Sequence, residues 1–227
     1  LHADNPTPSA IFGNSVALGD GFAAVGAPLA SNPGGRSGSV YVFRRSAGGW
    51  GLDARLDAPP EASDQSFFGS AIALSGTTLL AGAPFDRVGG INASGSAFAY
   101  RLTAAGWVSD GRLVSSAPRE DALLGASVAI DGDTAALGAP EANDLDEAAG
   151  SVVVFRRIAS QWLQDASLTA TGVPDTDDFG ASLSLKGDRL VVTAPRHDHN
   201  GVDRQGAAFV FDRGANGWAP PAKLVGE

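Results

Sequence analysis

The sequence predicts an all-β fold assembled from four copies of one unit, and three observations carry that prediction. An apolar residue followed by Gly recurs at Phe12-Gly13, Phe68-Gly69, Leu124-Gly125 and Phe179-Gly180, and a proline follows 16 positions after each, at Pro28, Pro84, Pro140 and Pro195. Twelve residues after Gly38, Gly95, Gly150 and Gly206 stand Trp50, Trp107, Trp162 and Trp218, with Leu56, Leu113, Leu168 and Leu224 six residues further on. Length varies in two places only: 10 or 11 residues from proline to Gly, and 11 or 12 from Leu to the next Phe or Leu. A fixed period of 55 to 56 residues marks an array of one supersecondary unit. Constant spacings map its strands, and variable ones its loops.

Each unit reads as four strands. Strand A covers 15–18, B 22–27, C 39–44 and D about 50–57, with the same offsets in later copies. Gly19-Asp20-Gly21, Ser75-Gly76, Asp131-Gly132 and Lys186-Gly187 join A to B, and glycine in so short a connection is a hairpin signal. Strand C is apolar on both faces: Val40 and Val42 oppose Tyr41 and Phe43, and Ala208 and Val210 oppose Phe209 and Phe211. A strand buried on both faces belongs to a sheet packed between neighbours. Helical periodicity is absent, so no helix is expected. Repeated four-stranded antiparallel sheets with two buried faces are the blades of a β-propeller; a stacked solenoid is the alternative. The expected blades are 12–57, 68–114, 124–169 and 179–225, with 1–11 as a connecting segment of one propeller body spanning 1–227.

Composition bounds the function. Of 227 residues 44% are hydrophobic, enough for a packed core, and the net charge is −9. That balance argues against a nucleic-acid partner, which calls for a basic face, and against docking on anionic lipid. No apolar run approaches the ~18 residues needed to span a membrane, so no membrane insertion is expected. With no Cys there is neither a disulfide framework nor thiolate chemistry. With no Met, residue 1 reads as the start of a processed or excised chain.

Phe-Gly followed by Gly-Ala-Pro, at 12–28, 68–84 and 124–140 and as Thr193-Ala194-Pro195 in the last copy, resembles the FG-GAP repeat. Such repeats build the β-propeller of integrin α subunits and of many secreted bacterial proteins, and the Gly-Ser-x-x-x-Phe strand with its following Trp is closest to the bacterial type. The departures, Leu124 for Phe and Thr193 for Gly, are expected to be tolerated at packing positions. In integrins the A–B hairpin is an Asp-rich calcium loop. Here it is a few residues long and offers one or two carboxylates, against the six to eight oxygens calcium takes. No cofactor is therefore expected, and calcium is not expected at these hairpins.

The resemblance implies a non-enzymatic, extracellular or cell-surface binding and adhesion module. Its partner, a protein or a glycan, is expected on the rim formed by B–C loops 29–37, 85–94, 141–149 and 196–205 and D–A loops 57–67, 114–123 and 169–178. Candidate contacts are Arg36, Asp86, Arg87, Asp144, His197, Asp198, His199, Asn200 and Asp203. Asp175, Asp177, Asp198 and Asp203 could hold a cation, since carboxylates suit a hard ion and the nearby imidazoles a transition metal; a solvated polar turn is the alternative. Nucleophilic catalysis is not expected: there is no Cys and no Gly-x-Ser-x-Gly elbow. Arg44-Arg45 and Arg156-Arg157 are expected to face solvent, with an anion site as the alternative, and each Trp to pack strand D onto its own blade. Sugar stacking by Trp and an Asn92-Ala93-Ser94 glycosylation acceptor are further alternatives. A structural or assembly protein and a lectin are the competing functions. Leu1 aligns with Leu56 and its equivalents, which gives four whole blades, while the small residues of strands A and B suit narrow wedges. The ring is therefore expected to be completed by further blades, from a second copy or a longer parent chain.

Overall fold

The computed structural model describes residues 9–31, 35, 37–142, 150–169 and 177–226. Four antiparallel sheets follow one another along the chain. The first joins β1 (Val16–Gly19), β2 (Phe22–Ala27), β3 (Ser39–Ser46) and β4 (Gly49–Asp57) in sequence order. The second repeats it with β5 (Ile72–Ser75), β6 (Thr78–Ala83), β7 (Ser96–Thr103) and β8 (Gly106–Leu113), and the third with β9 (Ser127–Asp131), β10 (Thr134–Ala139), β11 (Ser151–Ile158) and β12 (Gln161–Leu168). The fourth contains β13 (Leu183–Lys186), β14 (Arg189–Ala194), β15 (Ala207–Gly214), β16 (Gly217–Trp218) and β17 (Ala222–Val225). The all-β blade architecture and the strand limits read from the repeat hold to within a residue or two, and no helix occurs among the described residues.

The fourth blade departs from the pattern. Its outer strand is broken, β16 and β17 both pairing with β15 on either side of Pro220-Pro221. Proline has no N–H for the ladder and fixes φ, so it interrupts an edge strand here. In the other blades the outer strand is continuous but carries a bulge, at which Asp53, Asp110 and Asp165 are the extra residues. Pro221 stands at the equivalent place, three residues after Trp218.

The core lies between blades, not within them. Phe68, Ile72, Leu79, Phe98 and Tyr100 on the front of blade 2 pack onto Phe22, Ala24, Val40, Val42 and Leu56 on the back of blade 1. The next two junctions repeat this with Leu124 and Phe155 against Leu80 and Leu113, and with Phe179 and Phe211 against Val152 and Leu168. Front meets back every time. The inner strands β1, β5, β9 and β13 lie side by side.

Two tryptophans link blades. Trp107 Nε1 donates to Asp53 Oδ2 of the preceding blade at 3.1 Å, its ring edge-on to Phe22, and Trp162 Nε1 donates to Asp110 Oδ2 at 3.4 Å. The expectation that each Trp packs strand D onto its own blade is thus corrected for Trp107 and Trp162; Trp218 Nε1 is buried without a partner and Trp50 is exposed. One arginine of each pair is likewise engaged. Arg44 bonds the Asp53 carboxylate, and Arg157 bonds both Asp133 and Asp110, at 2.7 and 3.0 Å. Arg44 and Arg157, already neutralised by carboxylates, do not make an anion site; Arg45 is exposed, and Arg156 Nε is buried without a partner.

Candidate functional site

The rim holding the B–C and D–A loops is built on one recurring turn. Two residues after each proline, Ala30, Asp86, Ala142 and His197 occupy equivalent positions. Each donates its N–H to the Ala three residues earlier, and each carbonyl accepts from the Gly that starts strand C. All four are buried. The turn leaves room for a side chain directed inward, and two blades fill that room with a polar group.

In blade 2 that group is Asp86, fully buried. Its carboxylate accepts from Ser63 N at 2.8 Å, from Ser63 Oγ at 3.1 Å, from Arg112 Nη2 at 2.5 Å and from Ser96 Oγ. It thereby ties the D–A loop, strand β7 and strand β8 to one point. A buried carboxylate is stable only when paired and hydrogen-bonded in this way. In blade 4 the group is His197, whose Nδ1 bonds Asp177 Oδ2 of the D–A loop. Burial pushes the Asp177 carboxyl above its ordinary range, while the imidazole pulls the other way. His197 Nε2 is buried without a partner. Asp86 and His197, expected as surface contacts, are therefore internal pins of their loops.

The other candidates separate into exposed and internal. Asp198, Asn200 and Asp203 are exposed and His199 is half-buried. Asp198 Oδ1 caps the turn by accepting from Arg204 N at 2.7 Å, and His199 N and Val202 N exchange bonds across Asn200-Gly201. Among the described residues no group of three or more His, Cys, Asp or Glu side chains could hold a metal ion. Arg36, Asp144 and Asp175 lie outside the described residues.

Another feature of the rim escaped the sequence reading. The residue before each Phe-Gly or Leu-Gly pair sits in the left-handed region: Ile11 at φ 54°, Phe67 at 58°, Leu123 at 55° and Asp178 at 55°. Such φ values are uncommon for any residue with a side chain, and for β-branched Ile they are a genuine outlier. Strain of this kind costs of order 1–3 kcal/mol per residue and tends to cluster at functional sites. In two blades the side chain meets the residue after the proline, with different chemistry in each. In blade 4 Asp178 pairs with Arg196 at 3.2 Å. In blade 2 Phe67 carries the ring of Phe85 at a centroid distance of 4.7 Å, and Phe85 is 44% exposed.

Around Phe85 lies an open depression lined by Ser63, Asp64, Gln65, Arg87, Asn92 and Ala93. Arg87 is exposed, its Nε donating to Gly90 O at 3.0 Å, and Asn92 Nδ2 donates to Glu120 Oε1 at 3.1 Å. Of the sequence candidates, Arg87 is the one placed beside this exposed ring. The sequence reading singled out neither Phe67 nor Phe85, because exposure cannot be read from residue type. A second, smaller recess, of about 50 Å³, lies beside Ala142 among Ser94, Leu124, Ser151 and Ser167. It opens where blade 3 carries Ala142 in place of Asp86 and Ser167 in place of Arg112.

Among known families the chain matches the FG-GAP repeat, over residues 1–43, 50–100, 107–155 and 162–211. No curated protein matches the chain significantly. The later matched segments each start near the Trp of one blade and end in strand C of the next, so the sequence unit spans a blade junction. No helix among the described residues is long and apolar enough to cross a membrane. Four matched repeats covering most of the chain, folded as four successive antiparallel blades, establish that this protein belongs to the FG-GAP repeat family of β-propeller proteins.

Proposed function

We propose that the chain is a non-enzymatic, extracellular binding module that grips a protein or glycan partner by the rim of the B–C and D–A loops, centred on Phe85. The observation that carries this reading is the exposed Phe85 ring. It is held on Phe67 in a strained backbone and flanked by Arg87, Asn92 and Gln65. A preformed aromatic with an adjacent arginine is the composition of an interface hot spot. The ring is already immobilised, so little side-chain entropy is lost on binding. Asp86 supports this surface from beneath by fixing the D–A loop at Ser63.

The test is binding of the chain to a glycan array and to a display library of extracellular protein domains, run beside Phe85→Ala and Arg87→Ala. The reading expects ligands whose affinity falls at least about tenfold in Phe85→Ala, the loss of a ~1.4 kcal/mol contact. Ligands that bind both variants as well as the wild type would overturn it.

A further inference from the structure

The serine that opens strand C meets a carboxylate in the first two blades. Ser39 Oγ donates to Asp57 Oδ1 at 2.7 Å, and Ser96 Oγ donates to Asp86. In both blades an arginine of strand D holds the same carboxylate. Arg55 Nε lies 2.7 Å from Asp57 Oδ1, and Arg112 Nη2 lies 2.5 Å from Asp86 Oδ2. Arg55 and Arg112 share one ladder position, opposite Tyr41 and Phe98, and each guanidinium lies over that ring. Blade 4 has Ala207 in place of the serine, so no hydroxyl there calls for an acceptor.

Blade 3 keeps the serine without the acid. Ser151 pairs with Ala139 as Ser96 pairs with Ala83. Ala142 replaces Asp86, and Thr169 stands where blade 1 has Asp57. Ser167 replaces the arginine and lies opposite Val153 instead of an aromatic ring. A carboxylate, a guanidinium and a ring are thus all exchanged for small side chains, which opens the recess of about 50 Å³. Ser151 lines it and is 3% exposed, and among the described residues its hydroxyl has no hydrogen-bond partner. Buried hydroxyls are normally paired, so one left open into a cavity points to something that enters it.

A cation also lines the recess. Arg119 stands five residues before Leu124, the place that Ser63 holds before Phe68. Gln65 and Asp121, both at positive φ, fix this equivalence three residues before Phe68 and Leu124. Ser63 is the residue whose N–H and hydroxyl donate to Asp86 in blade 2. Between blades 2 and 3 the arginine has therefore moved from strand D to the D–A loop, and a serine has moved the other way. Ser167 Oγ accepts from Gln164 Nε2 at 3.0 Å, which leaves its own proton to donate. One arginine and two serines hold the carboxylate in blade 2, and the same set surrounds the recess in blade 3. A water-sized group needs about 10–15 Å³ of such space. The recess has room for the three heavy atoms of a carboxylate and little more.

We infer that the recess of blade 3 is a binding site for a small carboxylate group, held by Ser151, Ser167 and Arg119 where blade 2 supplies Asp86 from its own chain. Hydrogen bonds to an ionised acceptor are the strong ones, and arginine favours carboxylate geometry. The carboxylate comes from a free short-chain acid or from an Asp or Glu side chain of a bound polypeptide. The site belongs to blade 3 and is independent of the Phe85 reading.

Amide NMR of the chain at fixed ionic strength tests it with three probes: sodium acetate, a terminally blocked Gly-Asp-Gly peptide, and sodium chloride. Acetate, the peptide or both should produce saturable shifts at the Ala142 and Ser151 amides, and chloride none. Saturation by acetate alone identifies a free acid as the ligand, and saturation by the peptide alone identifies an acidic side chain. Ser151→Ala should weaken binding at least about tenfold, the loss of a hydrogen bond to a charged group. Ala142→Asp supplies the carboxylate internally and should abolish binding. Absence of saturable shifts with both carboxylates overturns the proposal. So does unchanged affinity in Ser151→Ala, a small substitution that decides the matter even where Ala142→Asp does not fold.

Discussion

Trp107 reaches across the first blade junction to donate its indole N–H to Asp53 Oδ2 at 3.1 Å. Asp53 is the extra residue of a bulge, which turns its side chain out of the ladder and toward the next blade. The second junction repeats this with Asp110, which gathers Arg101, Arg157 and Trp162. Sequence repetition thus produces a repeated clasp at the outer edge of the blades, complementing the close approach of Gly69 O to Gly26 between the same two blades.

The clasp at Asp110 is the more buried, its side chain 6% exposed against 19% for Asp53. Asp110→Ala should destabilise the chain by about 1–3 kcal/mol, the range for leaving buried donors unpaired. Asp53→Ala should cost less, because solvent can replace the lost partner. Thermal denaturation of both variants checks the order, which would be reversed if the clasp were incidental.

Asp86→Ala should be more damaging than any change to the exposed acids of the rim. It strands the half-buried Arg112 guanidinium and two serine hydroxyls, and removing one partner of a buried ion pair costs about 3–5 kcal/mol. Asp203→Ala, at an exposed position, should fall within about 0.5 kcal/mol of the wild type. Denaturant titration of the two variants separates the pin from the surface residue.

Gly82→Ala should destabilise by about 3 kcal/mol or more, the upper range for overpacking, because the clash is with backbone Gly125 O. Gly51→Ala is the control. No atom lies within 4 Å of its Cβ position, so stability should change by less than about 0.5 kcal/mol.

Acid and base act on the chain through carboxylates of opposite character. The Asp177 pKa is raised in the folded state, chiefly by burial, so its stabilising contribution is complete below 3.8 and is lost as pH rises through the folded value. His197, Asp198 and Lys223 act on the same group. The stability of Asp177→Asn relative to the wild type should therefore increase with pH across that window. Asp131 behaves in reverse. The Gly187 amide and then Lys186 lower its pKa, so its contribution is present above 3.8 and is lost as pH falls through the folded value. Asp131→Asn should flatten the acid limb of the stability profile. Urea midpoints measured against pH for the two variants should diverge in opposite directions.

The blades were legible because strand spacing is invariant and the loops absorb every length change. Burial at the rim was harder to read. Asp86 and His197 look like solvent-facing loop residues, yet aligned copies place Ala30 and Ala142 at the same position, and an apolar residue in two of four copies points inward. The Trp partner was visible too, as an Asp three residues after Trp50, Trp107 and Trp162. What it contacts depends on the neighbouring blade, which spacing alone does not give. Thr193 appeared to be a tolerable packing change. The carbonyl that forbids a side chain at the equivalent Gly26, Gly82 and Gly138 belongs to a different blade and becomes visible only in the assembled array.

The central structural claim is a fixed polarity, each front covered by the preceding back, so that Val16 and Leu18 on the front of blade 1 are exposed while Ile72 on the front of blade 2 is buried. Thiol labelling tests it directly, since the chain has no cysteine and an introduced one is the single reactive site. Val16→Cys should react with a maleimide at the rate of a free thiol. Ile72→Cys, its equivalent on the covered front of blade 2, should react at least about tenfold more slowly, because access requires local opening of the junction. Equal protection of the two positions in the monomer would contradict the account.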